Sequence, residues 1–153
     1  MVKRGEVWLV NLDPTVGSEI RKSRPCVVIS PPELHDHLRT VIVAPMTSNG
    51  FEAPFRVALT FKGTSGQILL DQLRTVDKSR LAKHLGTVPS DVLDHTLQIL
   101  RELFEAYLAQ PGEMRAEFAA RTDRHRAVAD YIAGMTDRFA LREHERLTGT
   151  RLL

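Results

Sequence analysis

The sequence predicts a mainly β protein with helices: a small β-barrel, one long amphipathic helix, and an extra helical tail. Short apolar runs recur between turn signals at intervals of roughly ten residues, as in small barrels. From residue 90 onward the apolar residues follow helical spacing instead. Gln110-Pro111-Gly112 interrupts that spacing. We therefore predict a main domain over residues 1–110 and a helical appendage over residues 111–153.

Each predicted strand is a short apolar or alternating run bounded by Pro, Gly, Asn or Asp. The strands are Glu6–Leu12, Cys26–Ile29, Thr40–Pro45, Arg56–Phe61, Gln67–Leu70 and Leu73–Val76. Between them, Pro31–Arg39 is interpreted as a polar loop and Lys62–Gly66 as a tight turn. Lys78–His84 is expected to form one or two helical turns, followed by a short strand at Gly86–Val88.

The long helix is predicted to begin with Ser90 as its N-cap, directly after Pro89. Its apolar face repeats at spacings of four and three, at Leu93, Leu97, Leu100, Phe104 and Tyr107.

The appendage is rich in residues of good helix propensity. One helix is expected from about Arg115 to Ile132 and another from Asp137 to Leu147. An apolar stripe runs along them and requires a partner surface; it consists of Val128, Ile132, Met135 and Phe139.

Composition favours an ordinary soluble protein, with 42% hydrophobic and 26% charged residues. The net charge of +2 permits a nucleic-acid partner without requiring one. The N-terminus lacks the apolar run of a signal peptide, and no stretch approaches transmembrane length, so no membrane association is expected. A single cysteine cannot form an intrachain disulfide. These observations predict a cytoplasmic protein.

A basic loop runs directly into the second predicted strand, in the sequence GSEIRKSRPCVVIS. It contains one acid, Glu19, and three bases, Arg21, Lys22 and Arg24. Pro25 restricts the preceding residue to an extended conformation, so Arg24 is held at a defined point. Its planar guanidinium matches phosphate oxygens. A surface ion pair is the alternative interpretation for such a strand-end arginine.

Three further residues are candidates for contacts with a phosphate or a base. Thr47 follows the third predicted strand and has a hydroxyl that can donate to a phosphate oxygen, although threonine there is more often a turn former. Gln72 and Arg74, in the sequence DQLR, are a strand-borne amide and cation. Such residues usually lie on a sheet surface and occasionally read base edges or phosphates.

Two features suggest other chemistry only weakly. His35-Asp36-His37 has the spacing of two metal ligands, but no third ligand is visible, so a solvated loop is favoured. Cys26 lies in an apolar strand, where a thiol is expected to be buried and inert rather than nucleophilic. No metal and no cofactor is predicted.

Four segments in this order carry a family resemblance: KRGEVWLVNLDPTVGSE, RPCVVIS, the strand ending in APMTS, and ILLDQLRTVD. From about Lys3 to Tyr107 the chain resembles the MazF/PemK-like toxins, which are metal-independent endoribonucleases of bacterial toxin–antitoxin modules. The resemblance implies an SH3-like barrel closed by a C-terminal helix. It also implies a homodimer that binds single-stranded RNA across the dimer groove, and a cognate antitoxin whose extended segment occupies that groove.

The resemblance also implies roles for individual residues. Arg24 matches the catalytic arginine of the family, and Thr47 matches the threonine that holds the scissile phosphate. Glu19 and Gln72 match positions implicated in RNA binding, and Arg74 matches more weakly. The positive charges of Arg21 and Lys22 add attraction to a polyanion.

The implied reaction is attack of a ribose 2′-hydroxyl on the adjacent phosphorus. The expected products are a 2′,3′-cyclic phosphate, or a 3′-phosphate, and a 5′-hydroxyl. One alternative is a non-catalytic toxin on the same barrel, similar to the gyrase-poisoning CcdB toxins. Retention of both Arg24 and Thr47 favours the nuclease.

The tail carries a separate resemblance. The stretch ADYIAGMTDRFALREHERL, at Ala129–Leu147, resembles the C-terminal end of HD-domain deoxynucleoside triphosphate triphosphohydrolases. The metal-binding core of that family is absent, so no triphosphohydrolase activity is expected. A further alternative is an inactive remnant whose tail blocks the RNA groove.

Overall fold

The computed structural model describes residues 1–15, 17 and 20–133. These residues form one antiparallel sheet of seven strands. The strands are β1 Glu6–Asn11, β2 Ser23–Val28, β3 Thr40–Thr47, β4 Arg56–Phe61, β5 Thr64–Leu69, β6 Arg74–Asp77 and β7 Leu81–Thr87. The helices are α1 Pro32–His35, α2 Ser90–Ala109, α3 Ala116–Ala119 and α4 Arg124–Ala133.

The sheet has the order β4-β5-β3-β2-β1-β7, and β6 pairs with β3 off this path. It curls into a half-barrel in which its two edges approach each other. A Cβ built on Gly86 of β7 would lie 3.2 Å from the Phe61 ring of β4. Gly86 has a φ of 150°, which suits glycine at this close approach. The predicted fold class, a small β-barrel with a C-terminal helix packed on it, is confirmed.

Both faces of the central strands are buried. Val7, Val27 and Ala44 belong to the core that also receives α2 and α4. Residues of alternate parity, such as Val28 and Val43, belong to a second cluster on the opposite face. Burial on two faces explains why VVIS and TVIVAP are almost continuous apolar runs rather than alternating ones.

Two predictions for the region before α2 were wrong. Only Lys78–Arg80 is helical, as a single 3₁₀ turn, and β7 follows at once. The strand forms because it pairs with β1, with Trp8 opposite His84, and this long-range pairing overrides local helix propensity. The N-cap of α2 is Pro89 rather than Ser90, and no side chain caps this helix end.

The single helix expected at 115–132 is also wrong, because it is divided into α3 and α4. Asp123 caps the N-terminus of α4, because its Oδ1 accepts a hydrogen bond from the Arg126 N–H at 3.1 Å. The helix predicted at 137–147, with Met135 and Phe139, lies outside the described residues.

The described part of the appendage packs on the barrel. Val128 and Ile132, from the predicted apolar stripe, are buried in the same core as α2. Tyr131 contacts Tyr107 of α2 edge-on, with ring centroids 5.0 Å apart, and Phe118 of α3 at 5.2 Å. For Val128 and Ile132, the described members of the stripe, the partner surface is therefore supplied by α2 of the same chain. No helix within the described ranges has the length and apolar character needed to cross a bilayer.

This packing predicts that Tyr131→Ala lowers the free energy of unfolding by about 3–5 kcal/mol, the usual cost of removing a buried aromatic ring. Tyr131 is 4% exposed, so the substitution leaves a cavity between α2 and α4. Urea denaturation followed by circular dichroism measures the change. The matched control is Arg126→Ala on the same helix, whose side chain is 76% exposed and which should shift stability by about 0.5 kcal/mol or less. Equal stability of Tyr131→Ala and wild type would show that the appendage does not pack in this way.

Candidate nucleic-acid interface

Arg24 and Thr47 lie on neighbouring strands in matching positions. Arg24 is the second residue of β2, and Thr47 is the last residue of β3. The two strands are antiparallel, with Cys26 opposite Pro45. The pairing ends at Cys26 and Pro45, and the same register continued by two residues places Arg24 opposite Thr47. Cross-strand partners point to the same face of a sheet, so both side chains reach the same surface.

Two clefts open on either side of this pair, and Arg24 and Thr47 line both of them. The first, of about 310 Å³, is mainly apolar, with walls that include Pro25, Leu59 and Phe61. The second, of about 270 Å³, is the polar cleft. It is lined by Ile20, Arg24, Thr47, Asn49, Arg56, Leu69 and Gln72. Arg24 and Thr47 thus stand on the ridge between an apolar and a polar cleft.

Arg24 is half-buried and its orientation is supported locally. Its Nε donates to the Arg21 carbonyl oxygen at 3.2 Å. This bond uses one of its five N–H donors. The Nη groups can therefore serve an anion in the clefts.

The Thr47 hydroxyl is engaged in a short turn. It donates to the Asn49 carbonyl oxygen at 3.0 Å and accepts from the Asn49 N–H at 3.2 Å. The turn holds the hydroxyl at the cleft wall. A hydroxyl can exchange its acceptor by rotation about a single bond, so an anionic oxygen can compete for this proton.

Gln72 joins the pair at the polar cleft. It ends the 3₁₀ turn Leu70–Gln72, and its Oε1 accepts from the Ile20 N–H at 2.8 Å. Through this bond the turn supports the loop that leads to Arg24.

Arg56 and Asp71 form a buried ion pair behind the polar cleft. Arg56 Nε lies 3.2 Å from Asp71 Oδ1, and Arg56 Nη2 lies 3.0 Å from Oδ2. The two side chains are 3% and 0% exposed. Such a bidentate pair fixes both side chains, and it sets one wall of the cleft. Neither residue is a candidate on sequence alone.

Among the described residues that line the two clefts, the charged ones are basic: Arg24, Arg56 and Lys62. Asp71 balances the charge of Arg56. Arg24 and Lys62 remain to attract an anion, so the electrostatics of the site suit a phosphate backbone.

Three predicted contact residues do not line either cleft. Arg21 donates to the Gly17 carbonyl oxygen at 3.2 Å and is exposed. Lys22 is exposed with a φ of 66°, and its N–H donates to Asp13 Oδ1 at 3.3 Å. Arg74 donates to the carbonyl oxygens of Leu12 and Pro14.

These contacts give Arg74 a structural position, because it ties β6 to the loop after β1. Arg21 and Lys22 remain on the surface near the clefts. Glu19 lies outside the described residues.

The cysteine behaves as predicted. Burial raises the pKa of the Cys26 thiol to about 12, so it is not a nucleophile near neutral pH.

The solvated loop expected around His35 is wrong for this residue. His35 is buried in α1, where Nε2 lies 2.7 Å from Ser30 Oγ and Nδ1 lies 2.8 Å from the Val2 carbonyl oxygen. Both ring nitrogens are thus committed to hydrogen bonds within the protein.

Comparison with known proteins identifies the larger part of the chain. Residues 3–104 match the family described as PemK-like, MazF-like toxin of type II toxin-antitoxin system. The chain belongs to this family. Endoribonuclease PemK of Escherichia coli is 39% identical over 102 residues, which cover 63% of this chain and 77% of that protein.

Two solved structures of this family have the same fold. MazF of Deinococcus radiodurans has a TM-score of 0.61 and 32% identity, covering 68% of this chain and 96% of its own. The MazE-MazF structure from the same organism has a TM-score of 0.55 and 30% identity, covering 67% and 93%.

The C-terminal part has a second similarity. Residues 71–146 match a phosphohydrolase-associated domain, a longer stretch than the resemblance at Ala129–Leu147. A deoxyguanosinetriphosphate triphosphohydrolase-like protein of Azoarcus is 50% identical over 56 residues, which cover 35% of this chain but only 15% of that protein. The similarity therefore concerns a small segment of such proteins.

Proposed function

We propose that this chain is the toxin of a type II toxin–antitoxin system and cleaves single-stranded RNA at selected sequences without a metal ion. The observation that carries the proposal is that Arg24 and Thr47 line the same two clefts, and that the charged residues among the described lining are basic. A relative named as an endoribonuclease supports it. The toxin activity would reside in residues 1–110, with 111–153 as an appendage.

The proposed reaction begins with a phosphate bound at the ridge. The ribose 2′-hydroxyl attacks the adjacent phosphorus in line, the bond to the 5′-oxygen breaks, and negative charge builds on the non-bridging oxygens. The Arg24 guanidinium would donate charge-assisted hydrogen bonds to these oxygens. The Thr47 hydroxyl would release Asn49 and donate to the same phosphate. Among the effects by which enzymes lower a barrier, stabilisation of developing charge commonly contributes most.

Water is the proposed acceptor and donor of the protons. No His, Asp or Glu is among the described residues that line them. Arginine is a poor base at its usual pKa. The proton of the 2′-hydroxyl would pass to water, and the departing 5′-oxygen would take a proton from water. The products would be a 2′,3′-cyclic phosphate and a 5′-hydroxyl.

The proposed substrate is an unpaired strand, because a base must be splayed out before side chains can distinguish it. Gln72 would contact RNA from the polar cleft, and Arg21 and Lys22 would attract the backbone from the nearby surface. Glu19 and Arg74 are proposed contacts on the resemblance alone. Cellular RNA as substrate implies action in the cytoplasm.

Two protein partners belong to the proposal. MazF of Deinococcus radiodurans has a solved structure with MazE, which supports a cognate antitoxin for this chain. A homodimer would extend the basic surface for RNA.

None of the cleft-lining residues comes from Pro111–Ala133, so the described appendage leaves both clefts open.

The purified chain should cleave a long unstructured RNA in the presence of EDTA and leave 5′-hydroxyl ends, which are detected by labelling with polynucleotide kinase without prior phosphatase. The same sequence made with 2′-deoxyribose at the cleavage site should resist. Cleavage of that deoxy substrate would contradict the 2′-hydroxyl mechanism. Absence of cleavage combined with inhibition of gyrase would favour a CcdB-like toxin, and cleavage only after truncation at Gln110 would indicate inhibition by the tail.

A further inference from the structure

An exposed aromatic ring stands beside the polar cleft. Phe51 is 41% exposed and belongs to the loop between β3 and β4, four residues after Thr47. Among the described residues, the other large apolar side chains that are exposed are Met1, Leu34 and Leu38, none of them aromatic. An exposed aromatic ring next to a basic cleft is a candidate for a contact with a nucleic-acid base.

The ring of Phe51 rests on a cation that cannot move freely. The guanidinium carbon of Arg56 lies 3.9 Å from the ring centroid, within the range of a cation–π contact. Arg56 is held in turn by two hydrogen bonds to Asp71, and both side chains are almost fully buried. The fixed Arg56 guanidinium therefore holds one face of the Phe51 ring in place, although Phe51 belongs to an exposed loop.

Arg56 connects this ring to the proposed site of reaction. It forms part of the polar cleft together with Arg24, Thr47 and Gln72. Phe51 does not itself line this cleft, but its ring lies against the Arg56 guanidinium of the cleft wall, and we call this position the rim of the cleft. A strand whose phosphate contacts Arg24 and Thr47 would present a neighbouring base within reach of this rim.

We propose that Phe51 is a stacking platform for an unpaired base next to the scissile phosphate, a specificity-determining contact that rests on the function proposed above. Arg56 covers one face of the ring, and a base would cover the open face. A supported ring loses little conformational freedom on binding, which favours stacking. A purine offers the larger flat surface, so the platform should favour a purine over a pyrimidine at this position of the RNA.

The test compares Phe51→Ala and Phe51→Leu with wild type. The dissociation constant is measured by fluorescence anisotropy on a labelled single-stranded RNA with 2′-deoxyribose at the cleavage site, which cannot be cleaved there by 2′-hydroxyl attack. Loss of base stacking should raise Kd about tenfold in both variants. Leucine keeps apolar bulk but lacks the flat π face, so it separates stacking from packing of the loop. Phe51→Trp keeps a flat aromatic face, so its Kd should stay close to that of wild type.

A second readout is the preference among cleavage sites in an RNA of randomised sequence. Phe51→Ala should reduce the ratio of purine to pyrimidine at one position beside the cut, whereas a role in loop packing alone would slow cleavage at all sites equally. Leu38→Ala is the matched control, because Leu38 is 47% exposed and does not line either cleft. It should change neither Kd nor the preference.

The outcomes separate this inference from the proposed function. If wild type cleaves RNA and both Phe51 variants keep its Kd and its site preference, the platform is refuted and the nuclease stands. If wild type neither binds nor cleaves RNA, the proposed function fails, and the platform fails with it. If Phe51→Leu binds RNA with the Kd of wild type and only Phe51→Ala binds more weakly, Phe51 serves loop packing and the inference is overturned.

Discussion

Arg24→Ala is expected to lower kcat for RNA cleavage by about a hundredfold to a thousandfold, the usual effect of removing one preorganised donor to developing charge. Arg24 lines both clefts, as does Thr47, whereas Arg56 and Lys62 each line only one of them. KM should change less than kcat, because the interaction strengthens as charge develops in the transition state. Initial rates on a fluorogenic single-stranded RNA, measured over a range of concentrations, separate the two constants.

Two variants control this prediction. Arg24→Lys keeps the positive charge but loses the planar fork, so it should recover only a small part of the rate. Arg21→Ala removes a base from the same loop, but Arg21 bonds to the Gly17 carbonyl oxygen and does not line the clefts. It should leave kcat unchanged and reduce the salt dependence of binding. If kcat for Arg24→Ala is within threefold of the wild-type value, Arg24 is not a catalytic residue.

The strands could be predicted because their signal is local. β2 and β3 contain β-branched runs that no helix pattern fits, and both were found within a few residues of their bounds. The positions of Arg24 and Thr47 followed from the same runs. Each lies near a strand end, and antiparallel pairing brings the two ends together.

Features that depend on partners distant in sequence were not predictable. β7 has a polar, exposed pattern and forms because β1 offers an edge for pairing. The ion pair between Arg56 and Asp71 spans fifteen residues and joins the start of β4 to a 3₁₀ turn. Nothing in either segment alone indicates it.

Arg74 shows what residue type alone leaves open. Its charge and its strand position suggested a phosphate contact, but the fold turns its guanidinium toward the backbone carbonyls of Leu12 and Pro14. Residue type alone could not distinguish a cation that binds RNA from one that holds a loop. The direction of the side chain, which only the packed structure provides, separates the two cases.

Asp71→Ala is expected to reduce the free energy of unfolding by about 3–5 kcal/mol, because it leaves the Arg56 guanidinium buried without its counter-charge. The side chains of the pair are 3% and 0% exposed, so water cannot solvate the charge without local rearrangement. Urea denaturation measures the loss. Asp130→Ala is the matched control, since Asp130 pairs with Arg121 at the surface with side chains 42% and 44% exposed. That change should cost about 1 kcal/mol or less.

The double variant Arg56→Met with Asp71→Leu separates the two roles of this pair. Replacement of both partners by apolar side chains of similar volume removes the unpaired charge, so most of the lost stability should return. RNA binding should not return, because methionine supplies no cation beneath Phe51 and does not reproduce the guanidinium wall of the polar cleft. A double variant that is stable and binds RNA as wild type does would show that the buried pair serves the fold alone. A double variant that is stable but binds RNA weakly would show that the buried pair is needed for RNA binding and not for stability.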